Sequence, residues 1–121
     1  MRAYLYLNAF IYAAFAVWCT MAPVSTAANL GYKELSRGGH SEYLVVYGGL
    51  QLGLAILFGL LARDPALWRL GMFIAIGIYT PIVLYRAVTV LKWMPVPPLT
   101  LATAGLESAM LVAAAVLIWK R

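Results

Sequence analysis

The sequence predicts an all-α integral membrane protein: a four-helix bundle with antiparallel neighbours and both termini on the same side. Three observations carry this. Of 121 residues, 64% are hydrophobic and only 11% charged; an ordinary soluble domain has roughly 25% charged residues with which to cover its surface. The apolar residues fall into four runs, each close to the about 20 residues that a bilayer-spanning helix needs. Glycine, proline and polar residues collect between the runs, where they mark connections. Residues 1–121 are therefore read as one transmembrane domain, with spans at 3–22, 42–61, 66–91 and 99–119 and a polar loop at 24–41.

The first span is closed by Pro23, which cannot continue a helical hydrogen-bond ladder. Met1-Arg2 ahead of an apolar run, with Ser25-Thr26-Ala27 behind it, also has the outline of a cleaved leader, but the run is longer than a leader core and reads as a retained span. The loop that follows carries Asn29, Lys33, Glu34 and Arg37, and Leu30, Tyr32 and Leu35 can lay part of it on the membrane surface. Gly38-Gly39 should break any helix there, with Ser41 as N-cap of the second span and Glu42 in its first turn, favoured by the helix dipole. Within that span Gly49 and Gly53 form a GxxxG pair that lets a neighbouring backbone approach, inside the chain or in a homo-oligomer.

Arg63-Asp64-Pro65 is a tight link, with Asp64 suited to cap the third span and Pro65 to its first turn. Pro81 inside the third span predicts a kink. Lys92 to Pro98 reads as an interfacial turn, and the fourth span ends at Trp119; Trp93 and Trp119 mark the two headgroup levels. Arg2, Arg63, Arg69, Lys120 and Arg121 fall on one side, against Lys33, Arg37 and Lys92 on the other. The excess places both termini in the cytoplasm, although so small a bias leaves dual topology open.

The cysteine and histidine content excludes whole classes of chemistry. A lone Cys19 rules out an intrachain disulfide, a CxxC redox pair and a thiolate cluster, and a lone His40 rules out a bis-histidine haem. No metal and no cofactor are expected. The net charge of +5 sits at segment ends rather than in a patch, so it reads as topology and attraction to anionic lipid, not nucleic acid.

Ionisable groups at membrane depth are expensive, which makes them the first functional candidates. Glu107 lies nine residues past Pro98, roughly 13 Å along the helix axis. Arg86 lies near the end of the third span, within side-chain reach of that level. The two are expected to pair, either as a static pin between the third and fourth helices or as part of a ligand or proton site. Tyr43, Tyr47 and Gln51 repeat every four residues on the second span, Tyr79 shares a face with Arg86, and Thr100, Thr103 and Glu107 share one on the fourth. These stripes predict one outward-opening pocket with Glu42 at its mouth. Asn8 should lie outside it and form an interhelical hydrogen bond.

The opening Tyr4-Leu5-x-Leu7-Asn8, the run Ser41-Glu42-Tyr43-Leu44-Val45-Val46-Tyr47-Gly48-Gly49-Leu50-Gln51-Leu52-Gly53, and an Arg late in span three with a Glu in span four together resemble one group of proteins. It is the small, uncharacterised four-helix bacterial membrane proteins grouped with the DoxX-like superfamily. The resemblance covers nearly the whole chain and implies a multi-pass protein of the bacterial inner membrane, with relatives tied to quinone-linked oxidoreductase complexes and to receptor assembly. It supplies no redox centre for this chain, so any such role would be that of an accessory subunit or quinone pocket.

Three classes of function compete. The first is a binding or accessory module whose pocket takes a lipid, a quinone or another amphiphile, or a partner's helix. Arg86 would anchor the occupant, Gln51, Tyr47 and Glu107 would orient it, and homo-oligomers or larger membrane complexes are open. The second is a proton-coupled small multidrug-type exporter using Glu107, which needs an unpaired carboxyl, so Arg86 within reach weighs against it. The third is an enzyme, and the absence of HExxH, of a nucleophile with its base and of a phosphate loop makes it the weakest. The first is the expected function.

Overall fold

In the computed structural model, which describes residues 1–120, every apolar run is helical, and among the described residues no strand forms. Helix α1 (Arg2–Met21) stops at Ala22, whose backbone (φ −134°, ψ 64°) leaves the helical region because Pro23 follows it. Pro23 then opens a short helix, α2 (Pro23–Asn29), where its missing N–H costs nothing. A Schellman motif ends α2: Tyr32 N donates to Ala27 O and Gly31 N to Ala28 O, with Gly31 left-handed at φ 100°. The region expected to be loop from 24 to 41 therefore begins and ends in helix.

Helix α3 (Arg37–Arg63) starts five residues before the span anticipated at Glu42. Ser36, not Ser41, is its N-cap, and Ser36 Oγ accepts from Gly39 N at 3.0 Å. Gly38-Gly39 does not break the helix; it lies in the first turn, where backbone N–H groups lack intrahelical partners anyway and the cap satisfies one of them. Midway, Val45–Leu50 widens into a π-helical stretch before α-helix resumes at Gln51. Asp64 Oδ1 accepts from Ala66 N at 2.9 Å and caps a 3₁₀ turn, Pro65–Leu67, so the α-helical part of the third span begins at Trp68 rather than 66. Helix α4 (Trp68–Lys92) runs unbroken through Pro81, and α5 (Pro98–Trp119) completes the chain. Four helical stretches, of 20, 27, 28 and 22 residues, are long and apolar enough to cross a membrane.

Between helices in lipid there is no hydrophobic driving force, so association rests on close packing and hydrogen bonds. Helix α1 lies along α3 in the opposite direction: Leu5 and Leu61 both border Gly71, Ala9 approaches Gly59, and Thr20 approaches Gly48. Helices α4 and α5 form a second close pair, and the two pairs meet over a narrower contact. That contact is centred on Leu5, Tyr12, Phe58, Met72, Ala75, Tyr79 and Met110, all buried. Tyr12 stacks on Phe58 with ring centroids 5.8 Å apart and lies 6.4 Å from Tyr79. Tyr79 donates to Asn8 Oδ1 at 2.7 Å, Asn8 Nδ2 donates to Tyr4 O, and Tyr4 donates to Met110 O on α5 at 2.8 Å.

The glycines that permit close approach are Gly71 and Gly48. A Cβ on Gly71 would stand 2.9 Å from Leu5 Cδ2, and one on Gly48 2.9 Å from Thr20 Oγ1. Gly49 and Gly53, expected to pack helices, face outward with nothing within 4 Å of such a Cβ. The π stretch re-phases the helix at this point, because its i→i+5 bonding rotates the side chains away from a 3.6-residue register. The outer surface is strongly apolar: Phe10 is 70% exposed and Leu91 82%.

Candidate functional site

Helix α5 returns along α4 after the turn at 93–97, and this brings Arg86 opposite Glu107. The contact is bidentate, with Arg86 Nε donating to Glu107 Oε2 at 3.0 Å and Nη2 to Oε1 at 2.8 Å. It is the one ion pair among the described residues. The Arg86 side chain keeps 32% of its surface exposed and that of Glu107 19%. The planar fork matches the carboxylate, which gives geometric definition as well as charge compensation.

The exposed flank of Arg86 faces a cleft of ≈ 330 Å³ between the two helix pairs. Tyr47 of α3 and Tyr32 line one side; Arg86, Thr89, Trp93 and Thr100 line the other. Two local devices build the first wall. The left-handed Gly31 turns the chain after α2 back across the molecule, close enough that a Cβ there would meet Pro97 Cγ at 3.4 Å. Tyr47 is held by stacking on Tyr43, with centroids 4.6 Å apart, and the Tyr43 hydroxyl donates to Thr26 Oγ1 at 2.9 Å, tying α3 to α2. On the second wall, Thr89 follows Arg86 by three residues and donates to its carbonyl at 3.2 Å. Lys92 lies over the Trp93 ring, 4.6 Å from its centroid.

Of the residues expected around one pocket, the structure brings Arg86, Tyr47 and Thr100 to the cleft, with Glu107 pairing Arg86 from behind without lining it. Gln51 is half-buried and does not line it, and Glu42 is exposed elsewhere on α3. Tyr43 is buried in a small second core with Cys19 and Ala27, and it also donates a longer contact, 3.7 Å, to Cys19 Sγ. Tyr79 is turned into the main core, where Asn8 consumes its hydroxyl. On α3 the stripe leaves one face because i, i+4 spacing does not hold through Val45–Leu50, where the helix is π, and on α4 Asn8 draws Tyr79 into the core. Tyr32 and Thr89 were missed. The spacing of Thr89 from Arg86 is a readable signal, whereas Tyr32 arrives through the fold-back at Gly31, for which the local sequence holds no distance information.

A second, smaller cleft of ≈ 220 Å³ lies among Met1, Pro65, Trp68, Arg69 and Ile118. Among the described residues, no three His, Cys, Asp or Glu side chains gather as a metal would require.

No family model, curated protein or solved structure matches this chain. The functional reading therefore rests on the residues and their geometry.

Proposed function

We propose that the protein is a multi-pass membrane binding or accessory module, and that the cleft beside Arg86 receives an amphiphile such as a lipid or quinone. The observation that carries this is an ion pair between two helices long and apolar enough to cross a membrane, whose arginine lines an open cleft. Pinning α4 to α5 needs only the contact with Glu107, whereas Arg86 also presents exposed surface toward a space lined by aromatic and hydroxyl side chains. Arg86 anchors the occupant, Glu107 fixes the guanidinium, and Tyr47, Tyr32 and Trp93 provide the lipophilic walls. A partner's helix is a bulkier occupant than a cleft of this volume favours.

The bidentate contact weighs against the exporter reading, because a carboxyl that must exchange protons and cations is served poorly by a guanidinium seated on both its oxygens. The excess of basic residues at the ends bearing Arg2, Arg63, Arg69 and Lys120 supports cytoplasmic termini and an inner-membrane setting. A relationship to the DoxX-like group is part of this proposal and goes with the same setting and an accessory role.

The test is thermal unfolding of detergent-solubilised protein with and without extracted bacterial lipids and quinones. The extract should raise the melting temperature of the wild type and not that of Thr100→Phe, which narrows the cleft while leaving both charged residues in the chain. An equal rise in both would sink the proposal.

A further inference from the structure

The hydrogen-bonding capacity of Arg86 is only partly used, and what is left defines an occupant. A guanidinium has five N–H donors; one on Nε and one on Nη2 serve Glu107. Among the described residues Nη1 makes no hydrogen bond. It is also not enclosed, since no buried side-chain nitrogen or oxygen lacks a partner. These free donors belong to a side chain that lines the cleft, while Glu107 stands outside the lining.

The charge is already balanced. A phosphate or carboxylate entering here would place a second anion beside the Glu107 carboxylate, with a single guanidinium for both, at a depth where an uncompensated charge is costly. A neutral acceptor meets no such obstacle and satisfies the open donors without adding charge. Depth points the same way: Arg86 precedes Lys92 by six residues, roughly 9 Å along the axis. A charged headgroup held at the level of Lys92 and Trp93 would stop short of it, whereas an uncharged molecule can sink to it. The volume of ≈ 330 Å³ sits at the small end of ligand sites, about 300–1,000 Å³. That suits a compact head, with the tail leaving through the open side into lipid.

We propose that the cleft selects an uncharged lipophile presenting a carbonyl oxygen to Arg86, with Glu107 acting as a positioning residue that also excludes anions. This rests on the binding reading above and narrows its ligand class. Two sources carry that chemistry: the ester carbonyl of a neutral acylglycerol and the ring carbonyl of a quinone.

The experiment titrates solubilised full-length protein with matched probes, reading apparent Kd from the shift in melting temperature. The probes are dioctanoylglycerol against its ether analogue dioctylglycerol, decylubiquinone against its dimethylated quinol, and dodecyl phosphate. At least one carbonyl compound should bind about tenfold more tightly than its carbonyl-free partner, the value of one hydrogen bond, and the pair that shows the difference names the source. Dodecyl phosphate should bind the wild type more weakly than that compound and gain about tenfold in Glu107→Gln. Equal binding of carbonyl and carbonyl-free partners, or tighter binding of dodecyl phosphate to the wild type, overturns the inference and leaves an amphiphile site standing. If no probe shifts the wild type, the inference falls together with the binding reading.

Discussion

Arg86 and Glu107 define each other. Either charge alone loses its compensation, so Arg86→Leu should destabilise the protein by about 1–3 kcal/mol, between the values for exposed and for buried pairs because both side chains keep some exposure. The double variant Arg86→Leu with Glu107→Leu should recover most of that loss, since two apolar side chains leave no orphan charge. Melting of both variants in one detergent checks this, and a double variant no better than the single one refutes it. The Asn8–Tyr79 bond behaves differently because it is enclosed. Asn8→Ala strands the Tyr79 hydroxyl in the main core and should cost about 1–3 kcal/mol. In a double-mutant cycle with Tyr79→Phe, coupling should fall near the about 0.6–1.7 kcal/mol found for hydrogen bonds between membrane helices; coupling near zero would mean that the bond contributes nothing.

Among the helices, α3 shows where periodicity misleads. Gly49 and Gly53 have the spacing of a packing motif, yet Gly48 and Gly71 make the close approaches. Gly71→Ala should destabilise by about 1–3 kcal/mol, because the added methyl meets the wholly buried Leu5 and the Leu61 Cβ. Gly53→Ala meets nothing and should be neutral or up to about 1 kcal/mol more stable through helix propensity. Thermal unfolding of the two variants side by side decides, and a clear loss in Gly53→Ala would reveal a contact outside the single chain. The four long helices were legible to within about five residues, since each needs only its own composition and its caps, whereas the short α2 lies in what reads as loop. The start of α3 was furthest off, because Ser36 and Ser41 are both competent cap residues and Ser36 is the one that accepts from a backbone N–H, that of Gly39.

For the molecule as a whole, four apolar helices arranged as two pairs leave a cleft at the end bearing Tyr32, Tyr47 and Trp93, and a smaller one at the end bearing Met1, Trp68 and Ile118. The proposed topology, with both termini cytoplasmic, predicts that a cysteine at Lys33 in a Cys19→Ala background reacts with a membrane-impermeant thiol reagent added outside spheroplasts. One at Arg63 should react only after permeabilisation. The reverse pattern would invert the orientation, and labelling of both from outside would indicate dual topology.

Composition pointed to the class of this protein, with 64% hydrophobic and 11% charged residues, and the structure has four helices long and apolar enough to cross a membrane. The sequence also pointed to the Arg86–Glu107 pair, since each group alone is too costly at that depth. Which polar side chains share a cavity was settled only by packing. Tyr43 and Tyr79 are spent on Thr26 and Asn8, partners far away in sequence, and a π stretch and one left-handed glycine turn Tyr47 and Tyr32 toward Arg86. The cost of burying a charge is a property of the residue; the meeting of faces is a property of the rotation and crossing of helices, which no single segment encodes.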